Sequence, residues 1–185
     1  FYEFEKDRII VRGTRLTPAV RATLVHELTH ALQDQHFSLA PLEDESSSTE
    51  QLAFTALIEG DANRVESEYV NNFSEDEFDQ YSLEQESFGE EADLSGIPDI
   101  FTTILGFPYS AGALFVQVLQ MNGGDGRIDR AFRSPPKTDE HILDPYTYLR
   151  SDNPEAVALP ELRSDREHAV ELLVEITRDT YEFLQ

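Results

Sequence analysis

Residues 17–37 read "TPAVRATLVHELTHALQDQHF", and this stretch decides how the rest of the chain is read. Thr17 is a good N-cap and Pro18 suits the first helical position, so the pattern predicts a helix over about Pro18–Phe37. His26, Glu27 and His30 stand among Leu24, Val25, Leu28, Ala31 and Leu32. Polar groups on such a background are costly to bury unless they have partners. Residues four apart on a helix lie nearly above one another, so His26 and His30 present two imidazoles to one point, while Glu27 sits about 100° around. His-Glu-x-x-His therefore suits two neighbouring ligands of a tetrahedral Zn²⁺, with a carboxylate beside the open position that can take a proton from water.

Composition narrows the chemistry further. The 185 residues are enough for one domain with a real core. Cysteine is absent, which excludes disulfides and thiolate metal sites, so a metal here is held by His and carboxylate. Asp and Glu number 37 against 14 Lys and Arg, a net charge of −23. That balance argues against a nucleic-acid partner and against an anionic membrane surface. Lys occurs only as Lys6 and Lys137, and acid excess with little lysine fits a protein of high-salt surroundings, where ions screen the self-repulsion. No run of 18 or more apolar residues is present, so no membrane insertion is expected of this segment. The chain starts at Phe1 in mid-pattern, and we expect a single domain over residues 1–185 that is a piece of a longer precursor.

Along the chain, "FYEFEKDRIIVRG" alternates and predicts a small N-terminal hairpin, firmest at Ile9–Val11. After the loop "APLEDESSS", a capping-box start predicts a second long helix over about Thr49–Asn72. The acidic stretch from Glu75 to Asp93 reads as a helix plus a loop. Pro98 and Pro108 punctuate "IPDIFTTILGFPY", and "SAGALFVQVLQM" reads as an apolar helix ending at "NGGDG". Two short elements follow, "IDRAFRS" and "DEHILDPYTYL", and the tail from Ser164 reads as an amphipathic helix or a strand and a helix. The fold class is mainly α (α+β), with a small strand component at the front.

Two histidines leave a zinc site one protein ligand short. Glu, Asp or His can supply it, and "ALIEGDA" offers Glu59 within an apolar stretch of the second helix. A helix packed antiparallel on the first would complete a His₂Glu set through that carboxylate.

His-Glu-x-x-His followed by Glu-Gly-x-Ala resembles the gluzincin metallopeptidases, which include thermolysin and the zinc aminopeptidases. The resemblance implies a zincin-like fold, Zn²⁺ held by His26, His30 and Glu59, Glu27 as general base, and a peptide or protein substrate. The gap between the motifs is longer than in that clan by roughly the loop "APLEDESSS". "FPYSAGALFVQVL" resembles the Pro-Tyr-x-x-Gly segment of the zinc aminopeptidases, which implies that Tyr109 donates to the developing oxyanion. The wider pattern, from "LTPAVRATLVHELTHALQDQHF" to "IDRAFRSPPKTDEHILDP", is similar to a group of prokaryotic proteins with a gluzincin-like core that includes haloarchaeal predicted surface proteins. That similarity covers most of Phe1–Tyr148 and implies an extracellular or cell-surface location.

The chain departs from the group at Asp144, where a His is usual; His141, three residues earlier, is a candidate to stand in. Many gluzincins place an Asp four residues after the ligand Glu to hold a zinc histidine. Asn63 occupies that position here, which leaves Asp61 as the candidate. These departures motivate an alternative reading, a surface zinc-binding module with lost or narrowed catalysis. Gln33 and Asp34 read as a solvated face, His36 as a structural residue turned away from the zinc face, and His168 as a surface residue. The "NGGDG" stretch lacks the acidic residues of a calcium loop and reads as a helix-ending turn.

Overall fold

A computed structural model describes residues 1–11, 14–39, 48–91 and 98–152. The tail pattern, His168 and the loop after Leu39 lie outside them. Strands β1 (Tyr2–Glu3) and β2 (Arg8–Ile9) pair antiparallel around a short 3-10 turn at Phe4–Lys6. Among the described residues seven helices follow: α1 (Pro18–Phe37), α2 (Ser48–Val70), α3 (Glu75–Glu91), α4 (Asp99–Met121), α5 (Asp125–Arg133), α6 (Asp139–Leu143) and α7 (Pro145–Arg150). The chain is mainly α with a small N-terminal hairpin, as expected.

Helix α1 starts and stops as its sequence dictates. Thr17 Oγ1 accepts from the Val20 amide, and Ser38 ends the helix in the left-handed region, its N–H returning to the Asp34 carbonyl. Its orientation differs from expectation. The buried positions include Ala19, Ala22, Thr29, His30 and Gln33, whereas Leu28 and Leu32 are 47% and 54% exposed. Apolar side chains run around all of α1, so periodicity within the helix does not select the inward face. The polar partners waiting on α2 select it.

The acidic stretch forms a helix as far as Glu91, and the loop expected after it lies outside the described residues. One boundary differs: α4 begins at Asp99 and runs through Pro108. Proline removes one helical hydrogen bond and crowds the preceding turn. The helix nevertheless continues, because Pro108 is buried and α4 packs along α2. Contact there is between backbones. A Cβ built on Gly60 would lie 3.0 Å from the Ala113 nitrogen and closer still to the Gly112 oxygen. Ala53, Ala56 and Leu57 of α2 meet Phe115, Val116 and Leu119 of α4, and Ile128, Ala131, Phe132 and Ile142 close the core. Among the described residues, Ile100–Met121 is the one helix long and apolar enough to cross a membrane, which the sequence reading did not anticipate. The Thr, Ser, Gly and Gln that interrupt it carry no charge, and a core helix has the same properties. Phe115, Val116 and Leu119 on it are fully buried.

Helix α3 docks on the first turns of α1 through carboxylates. Glu84 Oε2 accepts from the Ala19 amide at 3.0 Å, and Arg21 reaches Glu77 at 2.6 Å while its guanidinium lies over Phe73. The Ser74 amide, Arg21 and the Ser74 hydroxyl hold the Glu77 carboxyl down at about 2, against an ordinary 4.5. A carboxyl whose folded pKa is depressed stabilises above its unfolded value and loses that contribution as the pH falls through the folded one. Amide protection factors in residues 19–22, with intrinsic exchange divided out, should therefore be constant above pH 4.5 and fall as the pH drops toward 2, and Glu77→Gln should show the lowered protection already at pH 6.

Candidate metal centre

Helices α1 and α2 pack so that His26, His30 and Glu59 meet. Their ligand atoms all lie within 4.8 Å of one another, and the centre is largely buried. Glu59 Oε2 stands 3.2 Å from His26 Nε2 and 3.7 Å from His30 Nε2. Two ligand atoms each about 2.0–2.1 Å from a tetrahedral ion stand roughly 3.3 Å apart, so these separations suit Zn²⁺. The imidazoles lie nearly perpendicular, with ring centroids 4.6 Å apart, which lets both aim Nε2 at one point.

The opposite nitrogens determine what Nε2 can do. His26 Nδ1 faces Glu66 Oε2 at 3.1 Å. A carboxylate only accepts, and His26 has one on each side, Glu66 at Nδ1 and Glu59 at Nε2; both nitrogens donate in the imidazolium, and with the hydrogen on Nδ1 alone Nε2 offers a lone pair to a metal. His30 Nδ1 faces Gln33 Oε1 at 3.0 Å. The Gln33 amide nitrogen already donates to the Ile58 carbonyl and to Asp61 Oδ2, so the oxygen faces His30 and Nδ1 is again the donor. With both rings neutral and Nδ1 protonated, two imidazole lone pairs and an anionic oxygen converge, an arrangement that is repulsive unless a cation sits among them. Without metal that cation is a proton. Burial opposes charge on His26, but Glu59 and Glu66 outweigh it and hold the imidazole up at about 9. Burial also pushes the Glu59 carboxyl up, and the two imidazoles overcome it, bringing it down to about 2.

The residues around the centre are ordered from both sides. Asp61 takes Gln33 on one oxygen and Arg64 on the other, so it bears on His30 through Gln33. Gln33 is buried, not solvated as its sequence suggested. It lies three residues past His30, on the same stripe. Glu66 escaped the sequence reading, although the signal was there: it follows Glu59 by seven residues, two turns along the same face of α2. A carboxylate on the far nitrogen of a metal histidine raises ligand basicity and fixes the ring. Glu66→Gln should therefore weaken zinc binding about 10- to 100-fold in a chelator competition titration, while Glu75→Gln, on exposed α3, leaves it unchanged.

The other candidates fall in different places. Glu27 meets the hairpin, where its Oε2 accepts from the Tyr2 amide at 2.6 Å. Beside it lies an apolar cavity of about 180 Å³, lined by Val20, Thr23 and Leu24 of α1 and by Phe1, Ile9, Ile10 and Val11 of the hairpin. Asn63 Nδ2 donates to the Tyr109 carbonyl at 3.4 Å, which sets Tyr109 on α4 across from the α2 turn that follows Glu59. Tyr109 lies within a helix, not at its start, and is 42% exposed. Both ring nitrogens of His141 are used by backbone, Nδ1 accepting from the Lys137 amide and Nε2 donating to the Asp152 carbonyl. His141 is thus a tie between two loops, and it does not take part in the metal cluster. Asp144 caps α7, its Oδ1 accepting from the Tyr146 amide, which gives the carboxylate at that position a structural task. His36 is exposed and lies outside the metal cluster. Comparisons of the chain with protein-family models, with curated proteins and with solved structures found no match.

Proposed function

We propose that the chain is a zinc-dependent metallopeptidase of gluzincin type, with His26, His30 and Glu59 as its metal ligands. The observation that carries this reading is the convergence of two imidazole nitrogens and a buried carboxylate oxygen at separations suited to a tetrahedral ion. Three protein ligands leave a fourth position open, as catalytic zinc sites do and structural ones do not. Zn²⁺ bound there supplies Lewis acidity, which acidifies water and polarises a carbonyl.

The chain's own residues supply the rest. Glu27 takes a proton from the attacking water and gives it to the leaving amine nitrogen. Its Oε2 is engaged by Tyr2, so Oε1 is the oxygen that carries the proton. The Tyr109 hydroxyl donates to the oxyanion as it develops. The cavity beside Glu27 provides room for an apolar side chain of the substrate. The acidic surface and the resemblance to haloarchaeal surface proteins support an extracellular or cell-surface location in concentrated salt. Metal analysis paired with cleavage of a peptide library tests the reading. Zinc at one equivalent with cleavage that Glu27→Gln abolishes is the expected result. Zinc bound with no peptide cleaved would favour the alternative, a surface zinc-binding module.

A further inference from the structure

The hairpin carries a feature that the metal centre does not need for holding an ion. Phe1 and Ile10 exchange both of their main-chain hydrogen bonds, at 2.8 Å each. In an antiparallel pair the next residue then points its N–H and C=O out of the ladder. The outward N–H is that of Tyr2, and a partly buried N–H needs an acceptor. It finds Glu27 Oε2, 25 residues along the chain, at 2.6 Å.

Tyr2 is held in this register at its other end. It is buried, and its hydroxyl lies between Asp34 Oδ2 at 3.0 Å and Asp7 Oδ1 at 3.2 Å, donating to one at a time. Asp34 follows Glu27 by two turns on one face of α1. A single strand residue therefore spans two carboxylates of the metal-bearing helix, with its amide on one and its hydroxyl on the other. Phe4, at the end of the strand, reaches the His30 ring, with centroids 6.5 Å apart.

The geometry points to Tyr2 as a positioning residue for Glu27, acting through its main-chain amide. This rests on the hydrolase reading for its purpose. A glutamate has three side-chain torsions, and a base that wanders through them spends little time within reach of water. A charge-assisted N–H···O bond from a rigid strand removes that freedom by tying Oε2, and leaves Oε1 presented for the proton. The hairpin is then part of the catalytic machinery, although none of its side chains is asked to touch a reacting atom.

Replacing the Tyr2 amide by an ester, through the α-hydroxy analogue of tyrosine, deletes the donor and keeps the side chain. In the zinc-loaded full chain, kcat for a cleaved peptide should fall about 10- to 100-fold, as a mispositioned base does, with KM and zinc stoichiometry as in the wild type. Tyr2→Phe keeps the amide and should lose less. A readout independent of hydrolysis is the Tyr2 amide proton in the metal-free protein. It should resonate downfield, exchange slowly, and move upfield in Glu27→Ala. A wild type that cleaves, with an ester variant equally fast, overturns the positioning alone, as does an amide proton unmoved by Glu27→Ala. A zinc-loaded wild type that cleaves nothing overturns the hydrolase reading, and the catalytic purpose of the bond with it.

Discussion

Glu27→Gln should bind one equivalent of zinc, as expected of the wild type, and should hydrolyse peptides about 1,000-fold more slowly than it, within the range that a positioned general base contributes. The substitution keeps the size and planarity of the side chain, and an amide oxygen still accepts from the Tyr2 N–H at the distance observed for the carboxylate. The ability to take up a proton is lost. The ligands should be unaffected, because Glu27 Oε2 is held by the Tyr2 amide and Glu27 is not one of the His26, His30 and Glu59 group. Metal analysis beside peptide kinetics checks both halves of the expectation. Full activity in this variant would remove Glu27 as the base, and loss of zinc would show that it supports the metal instead.

Gly112→Ala should destabilise the protein by about 3 kcal/mol or more, the upper range for overpacking a close contact. A Cβ on Gly112 would lie 2.9 Å from the Ala56 carbonyl carbon, 3.2 Å from its Cα and closer still to its oxygen. All three are backbone atoms in the middle of α2, so no side chain can swing aside; the helices must separate. Separation would also draw α2, which carries Glu59, out of register with α4. For a domain of this size the melting temperature should drop by roughly 10 °C. Gly106 on the same helix provides the opposite sign. A Cβ there meets nothing within 4 Å, so Gly106→Ala should stabilise by about 0.5–1 kcal/mol through helix propensity. Thermal melts of the two variants separate steric conflict from propensity, since both convert a helical glycine to alanine. Equal shifts in the same direction would show that α2 and α4 do not approach as closely as described.

Much of the centre was legible in residues 17–37. The i, i+4 spacing places His26 and His30 on one side of α1 regardless of what the helix packs against, and Thr17 with Pro18 starts the helix where it was expected. Glu59 could be anticipated as a carboxylate in an apolar stretch of the following helix, and it lies 3.2 Å from His26 Nε2. Other features were misread for want of a partner. Gln33 looked solvated, and is buried because Asp61 and the Ile58 carbonyl face it from α2. Pro108 looked like the end of an element, and lies inside α4 because packing along α2 outweighs one missing hydrogen bond.

The limit lies in what periodicity can express. A repeat of 3.6 residues states which side chains share a face, and by itself this determined the pairing of the two histidines and the offset of Glu27. It carries no phase relative to another helix. Leu28 and Leu32 turned outward and His30 and Gln33 inward because of what α2 presents, not because of any pattern inside α1. The Tyr2 amide reaches Glu27 only through the register of the hairpin and its seat on α1. Glu66 reaches His26 only through the axial alignment of α1 with α2, and that alignment is set by packing between residues distant in sequence. Tertiary structure alone decided these contacts, because each depends on the relative placement of two elements that the chain leaves free until they pack.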